Sequence, residues 1–167
     1  MWCDSRSVIF WSSTLATQTM KLIIEYDSTF KIARGTFYGA LDDDLLFASY
    51  QRMGKAARAH KPEMAILDFS HVTTFAVTVG MISRLALARP NVADPYPRCV
   101  VAPDDVQYGM TRMFQALSED KRKNFHVVRT MAEALEALGI TAEPDFQMFD
   151  SFELPDSPDA KSKAANL

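Results

Sequence analysis

The chain has 167 residues, with 18 basic and 21 acidic side chains and a formal net charge of -3. That length suits one domain with one core, and 48% hydrophobic with 23% charged residues is an ordinary globular composition. No concentrated basic patch offers itself to nucleic acid or an anionic membrane, and no apolar run reaches the ~20 residues of a membrane-spanning helix.

Residues 1–19 differ from the rest, with one short apolar patch at Val8 to Trp11 followed by Ser and Thr. Asp4 offsets Arg6, and the apolar stretch is short for a signal peptide. The segment reads as an extension of a chain whose natural start is Met20. Leu22 to Tyr26 reads as a first strand and Phe30 to Tyr38 as a second. Between them, Asp27-Ser28-Thr29 has turn chemistry, so the two make an antiparallel hairpin closed by Gly39.

Asp42-Asp43-Asp44 opens a helix, since carboxylates suit a helix N-terminus. Its apolar stripe is Leu46, Tyr50, Met53 and Ala57, and Pro62 ends it. Met64 to Phe69 reads as strand three and Ser70 to Thr74 as a polar turn. A second helix follows from about Val77 to Ala88, carrying Met81, Ile82 and Leu85. Residues 91–96 form a loop, and Arg98 to Ala102 is strand four.

Pro103-Asp104-Asp105 starts a third helix with a broad inward face of Val106, Met110, Met113, Phe114 and Leu117. Phe125 to Val128 is strand five. Thr130 and Glu133 form a capping box for a fourth helix, and Gly139 suits its C-terminal end. The order predicts an α/β domain over residues 20–140. Its mixed sheet of five strands begins with an antiparallel hairpin, continues in β-α repeats, and is covered by about four helices. Residues 141–167, with three prolines, many acids and a Phe-rich cluster, read as a tail whose last dozen residues lack order.

Chemistry-bearing residues are sparse. Cys3 and Cys99 form no CxxC pair, and Cys99 lies in an apolar run, which fits a buried thiol in a reducing cytoplasm. The histidines His60, His71 and His126 lack metal-site spacing, so no metal is expected. Isolated glycines build no phosphate loop, and no cofactor is expected. Asp68, Ser70 and His71 invite a hydrolase reading. Neighbours on an extended segment point opposite ways, however, and local hydrogen bonding accounts for them. Asp104 and Asp105 read as caps before they read as ligands. Tyr108 and Arg112, four apart, share a helix face near the strand ends.

The element order and the stretch Ala65-Ile66-Leu67-Asp68-Phe69-Ser70-His71-Val72 resemble STAS-type domains. These are the domains of anti-sigma-factor antagonists and sulfate-transporter tails. The likeness is closer to STAS/SEC14-like bacterial proteins: Cys99 to Ala102 is followed by a segment like Pro103 to Met110. Phe125 to Arg129 then leads to Ala132-Glu133-Ala134-Leu135. The resemblance covers about residues 20–140. Antagonists carry a phosphorylatable Asp-Ser-Ser-Gly-Leu motif at their second helix. Here Ala76-Val77-Thr78-Val79-Gly80-Met81 stands in that place, so the Asp and both serines are missing and Thr78 is the one nearby hydroxyl.

The resemblance implies a cytoplasmic, non-enzymatic regulatory module that binds a protein partner. Its expected contacts are Ser70, His71, Thr74, Thr78, Gly80, Asp104, Tyr108 and Arg112, with Thr78 as the phosphorylation candidate. A second reading, implied by the SEC14-type likeness and the Met and Phe content, is a carrier or sensor of a small apolar or lipid-like ligand. It predicts a sizeable enclosed cavity lined by Met and Phe. An enzyme is the third and weakest reading. The pattern names no partner and leaves the oligomeric state open, a homodimer included.

Overall fold

The computed structural model describes residues 20–91 and 95–154. The expected 1–19 extension with its start at Met20, the middle of the 91–96 loop and the end of the 141–167 segment lie outside the described residues. Among those described, no helix is long and apolar enough to cross a membrane.

Strands β1 (Met20–Asp27) and β2 (Ile32–Asp42) form the expected antiparallel hairpin. The Asp27 Oδ1 accepts from the Phe30 amide at 2.8 Å, and Lys31 turns the chain at a positive φ of 52°. Helix α1 (Asp43–His60) begins where Asp42 Oδ1 accepts from the Leu45 amide at 3.0 Å. It ends at Lys61, which adopts the left-handed region just before Pro62. Then follow β3 (Met64–Ala76), α2 (Val79–Leu87), β4 (Arg98–Val101), α3 (Asp105–Leu117), a 3-10 turn over Glu119–Lys121, β5 (Phe125–Val128), α4 (Met131–Ala137) and β6 (Gln147–Leu154).

The sheet order is β5-β4-β3-β2-β1-β6. Strands β2 to β5 run parallel, and β1 is antiparallel to both its neighbours. One face carries the main core, where Leu22, Phe37, Leu41 and Val100 meet Leu45, Leu46, Ile82 and Leu85 from α1 and α2. The other face packs Ile32, Ile66, Cys99 and Val101 against Ala134 of α4 and Ile140. The alternation Ile66/Leu67 and Cys99/Val100/Val101 between the two clusters is the period-two pattern of a sheet covered on both sides.

Four features depart from the sequence expectation. First, the sheet has six strands, not five. Gln147–Leu154, read as tail, pairs with the open edge of β1, with Lys21 opposite Glu153 and Tyr26 opposite Gln147. Second, Ser70 to Thr74 is not a turn. β3 continues to Ala76 and pairs with β2 out to Asp42. Val72, Thr73, Thr74 and Phe75 are strand formers, and two bulges absorb extra residues of β3. Third, Gly39 does not close the hairpin but sits within β2 at φ 83°. Fourth, α3 buries its apolar stripe only in part, with Met110, Met113 and Phe114 half-buried against the main core. Gln107 and Thr111 face the core, while Val106 and Leu117 are exposed. Thr111 is buried at low cost because its Oγ1 donates to the Gln107 carbonyl at 2.8 Å.

Candidate functional site

Small side chains on facing elements leave a gap in the main core. Ala33 and Gly35 on β2, Ala65 on β3, and Ala56 and Ala57 on α1 all border a cavity of about 150 Å³. It lies between the sheet and helices α1, α2 and α3. Its walls are apolar: Met53, Leu67, Phe69, Ile82, Leu85 and Phe114 are among them. At Gly35 the walls close in, since a Cβ there would meet Met53 Sδ at 3.2 Å and Leu67 Cδ2 at 3.3 Å. The stripe expected on α1, Leu46, Tyr50, Met53 and Ala57, lines the cavity throughout.

The polar residues that border this space are Tyr50, Asn91, Arg98, Thr111 and Arg122. Arg122 is buried. Its Nη1 donates to the Ala86 carbonyl at 2.9 Å and its Nη2 to the Ala88 carbonyl at 3.1 Å. It thereby satisfies the carbonyls that the end of α2 leaves without helical partners. Its guanidinium also lies 4.9 Å from the Phe114 ring centre. Tyr50 donates its hydroxyl to the Arg89 carbonyl at 2.5 Å, and Asn91 Nδ2 donates to the Tyr50 carbonyl at 3.0 Å. These bonds hold the 89–91 segment against α1. Pro62, Pro90 and Asn91 border the cavity where α1 and α2 finish. Cys99 also lines it, and burial pushes its thiol up to about 12.

An apolar cavity of about 150 Å³ is of the size that stays dry and admits benzene or xenon.

The residues expected to bind a partner are each held locally. Asp68 Oδ1 accepts from the Ser70 amide at 2.9 Å. His71 stacks on Tyr38 with ring centres 4.7 Å apart, and Thr74 pairs with Ala40 across β2–β3. Thr78 is the N-cap of α2: its Oγ1 accepts from the Met81 amide at 3.2 Å and donates to Asp43 Oδ2 at 2.6 Å. Gly80 is the second residue of that helix. Asp104 caps α3 by accepting from the Val106 amide at 2.9 Å. Tyr108 and Arg112 each take another partner. Tyr108 lies under Arg129, 4.1 Å from ring centre to guanidinium, and Arg112 donates to Gln115 Oε1 at 2.6 Å. Among the described residues, no three His, Cys, Asp or Glu side chains gather where they could hold a metal ion.

Sequence reasoning looked for a site at the carboxyl ends of the strands and missed the cavity walls. The signal was present in Ala33, Gly35, Ala56, Ala57 and Ala65, small residues at core-facing positions. Only pairing across the fold shows that they face one another. Met53, Phe69, Phe75, Phe114 and Phe125 are the Met and Phe residues that line it. No protein-family model matches the chain, and no curated protein matches it.

Proposed function

We propose that this chain is a non-catalytic binding module of STAS/SEC14-like type that holds a small apolar molecule, as a cytoplasmic sensor or carrier. One observation carries the reading: the apolar cavity of about 150 Å³ between the sheet and α1 to α3. Its volume favours a small ligand. Pockets for drug-sized ligands run to ~300–1,000 Å³, so a diacyl lipid is too large. A molecule of about six to ten heavy atoms, aromatic or short-chain, fits.

The partner-switch reading keeps one supporting feature, the position of Thr78 at the start of α2. Against it stands Asp43, whose carboxylate takes both the Thr78 amide, at 2.7 Å, and its hydroxyl, at 2.6 Å. A phosphoryl group there faces a like charge.

Thermal melts with benzene, indole and hexanol test the ligand reading. At ten times its Kd a ligand stabilises by about 1.4 kcal/mol, a rise in Tm of about 3–5 °C for a chain of this size. Ala56→Leu, which fills the cavity, removes that rise. Failure of every probe to shift the wild-type melt, or an undiminished shift in Ala56→Leu, rejects the reading.

A further inference from the structure

The cavity between the sheet and helices α1 to α3 has one wall that no helix or strand supplies. Among its described lining residues, Pro62, Pro90, Asn91 and Arg122 stand outside the regular elements. Parting a strand or helix from its neighbours breaks ladder bonds and exposes core. The segments that open first are therefore connections held by few contacts. Two of these positions are well anchored. The amides of Glu63 and Met64 both donate to the Lys31 carbonyl, at 2.8 and 3.2 Å, which ties the chain after Pro62 into the sheet. Arg122 is buried on the carbonyls of Ala86 and Ala88. Pro90 and Asn91 follow the end of α2. The described ties of residues 89–91 to α1 are side-chain bonds: the Tyr50 hydroxyl donates to the Arg89 carbonyl at 2.5 Å, and Asn91 Nδ2 to the Tyr50 carbonyl at 3.0 Å.

A glycine makes the second of these bonds possible. In an α-helix the carbonyl of Tyr50 points along the axis toward the amide of Gly54, and a side chain at Gly54 would stand beside it. A carbonyl inside a helix keeps a second lone pair for an outside donor, provided that donor can come close. Gly54 is buried inside α1, at a place where glycine is the poorest helix former after proline. A Cβ there would lie 2.8 Å from Asn91 Oδ1 and 3.5 Å from its Cγ. The missing side chain is the seat of the Asn91 amide. Gly54 is not among the residues that line the cavity, so its packing serves the 89–91 segment and not the ligand space.

We propose, on the ligand-holding reading, that residues 89–91 are the door of the cavity, latched by the seat of Asn91 on Gly54 and by the Tyr50 hydroxyl. A small apolar molecule enters and leaves past Pro90 and Asn91 when these bonds break. Entry and exit use the same opening, so a weaker latch raises kon and koff by the same factor. Affinity is set by the walls on the sheet and helices and does not change. Loss of one neutral hydrogen bond raises the open fraction by about a factor of ten.

Exchange of fluorobenzene with the full chain, followed by fluorine NMR, tests this. Gly54→Ala displaces the Asn91 amide, so kon and koff are both expected to rise about tenfold while Kd stays within about twofold. A second variant acts in the opposite direction. The 3.5 Å between the place of a Gly54 Cβ and Asn91 Cγ suits a disulfide. In a Cys3→Ser background, Gly54→Cys with Asn91→Cys is expected to slow exchange about tenfold or more when oxidised and to release it on reduction. Asp150→Asn, at a residue that does not line the cavity, keeps the wild-type rates. Wild-type rates in Gly54→Ala or in the oxidised pair overturn the door and leave the cavity reading standing. So does an equal rise in Asp150→Asn, since exchange then follows a general loosening of the fold. No bound fluorobenzene in the wild type overturns both.

Discussion

Arg52 on α1 grips Asp150 on β6 with two bonds, Nε to Oδ2 at 2.7 Å and Nη2 to Oδ1 at 3.0 Å. The pair ties the last strand of the sheet to the first helix across 98 residues of sequence. Phe152 adds to the tie, with the Arg52 guanidinium 5.4 Å from its ring centre.

The Arg52 hydrogen bonds hold the Asp150 carboxyl below its ordinary value and raise the arginine. A carboxyl depressed in the folded state stabilises it above the ordinary carboxylate value. That contribution is lost as pH falls from about 4 downward. Both side chains are partly exposed, so Asp150→Asn is expected to cost no more than about 1 kcal/mol at pH 7. Urea titrations at pH 7 and pH 3 check this: the gap between wild type and variant narrows at pH 3. Hydrogen exchange should show the β6 amides opening more readily than those of β2 in the variant.

Asp43 and Thr78 join the starts of α1 and α2. Removing the cap by Thr78→Ala is expected to cost about 1 kcal/mol. Thr78→Asp places a second carboxylate against Asp43, so a double-mutant cycle of Thr78→Asp with Asp43→Asn should give a repulsive coupling of about 1 kcal/mol at pH 7. An attractive or absent coupling at pH 7 would show that the two side chains separate in solution.

Cys99 is buried in the wall shared by the cavity and the second face, and burial pushes its thiol up to about 12. In a Cys3→Ser background the folded protein should therefore resist thiol reagents at pH 8, with labelling appearing only on unfolding. Between about pH 9 and 12 the folded state keeps a proton that the unfolded chain has released. Stability then falls with rising pH, by up to ~1.4 kcal/mol per unit from this group. Denaturation curves of wild type and Cys99→Ala over that window isolate the effect, because the substitution removes this part of the slope.

What could be read from the sequence was what neighbours in the chain decide. Asp42, Asp104 and Thr130 cap helices where local chemistry placed them. Glu133 reaches back as in a capping box, though its Oε2 accepts from the Arg129 amide. Gly139 takes its positive φ of 71° just past α4. The buried Met81, Ile82 and Leu85 of α2 also follow from helical spacing. What stayed hidden depends on distant partners. β6 exists because β1 offers an open edge, and β3 runs on because β2 is long enough to pair with it. That Gln107 and Thr111 of α3 are buried while Val106 and Leu117 are not depends on how the helix sits against α2 and β5, which its own spacing does not say. The cavity is the extreme case, since five small residues on three elements matter only together.

Diffraction from crystals pressurised with xenon tests the ligand-holding account most directly, because xenon enters apolar cavities of this size without any polar contact. The account predicts a strong xenon peak bounded by Met53, Leu67 and Phe114, absent in Ala56→Leu. A fully packed core with no peak between the sheet and the three helices would contradict it.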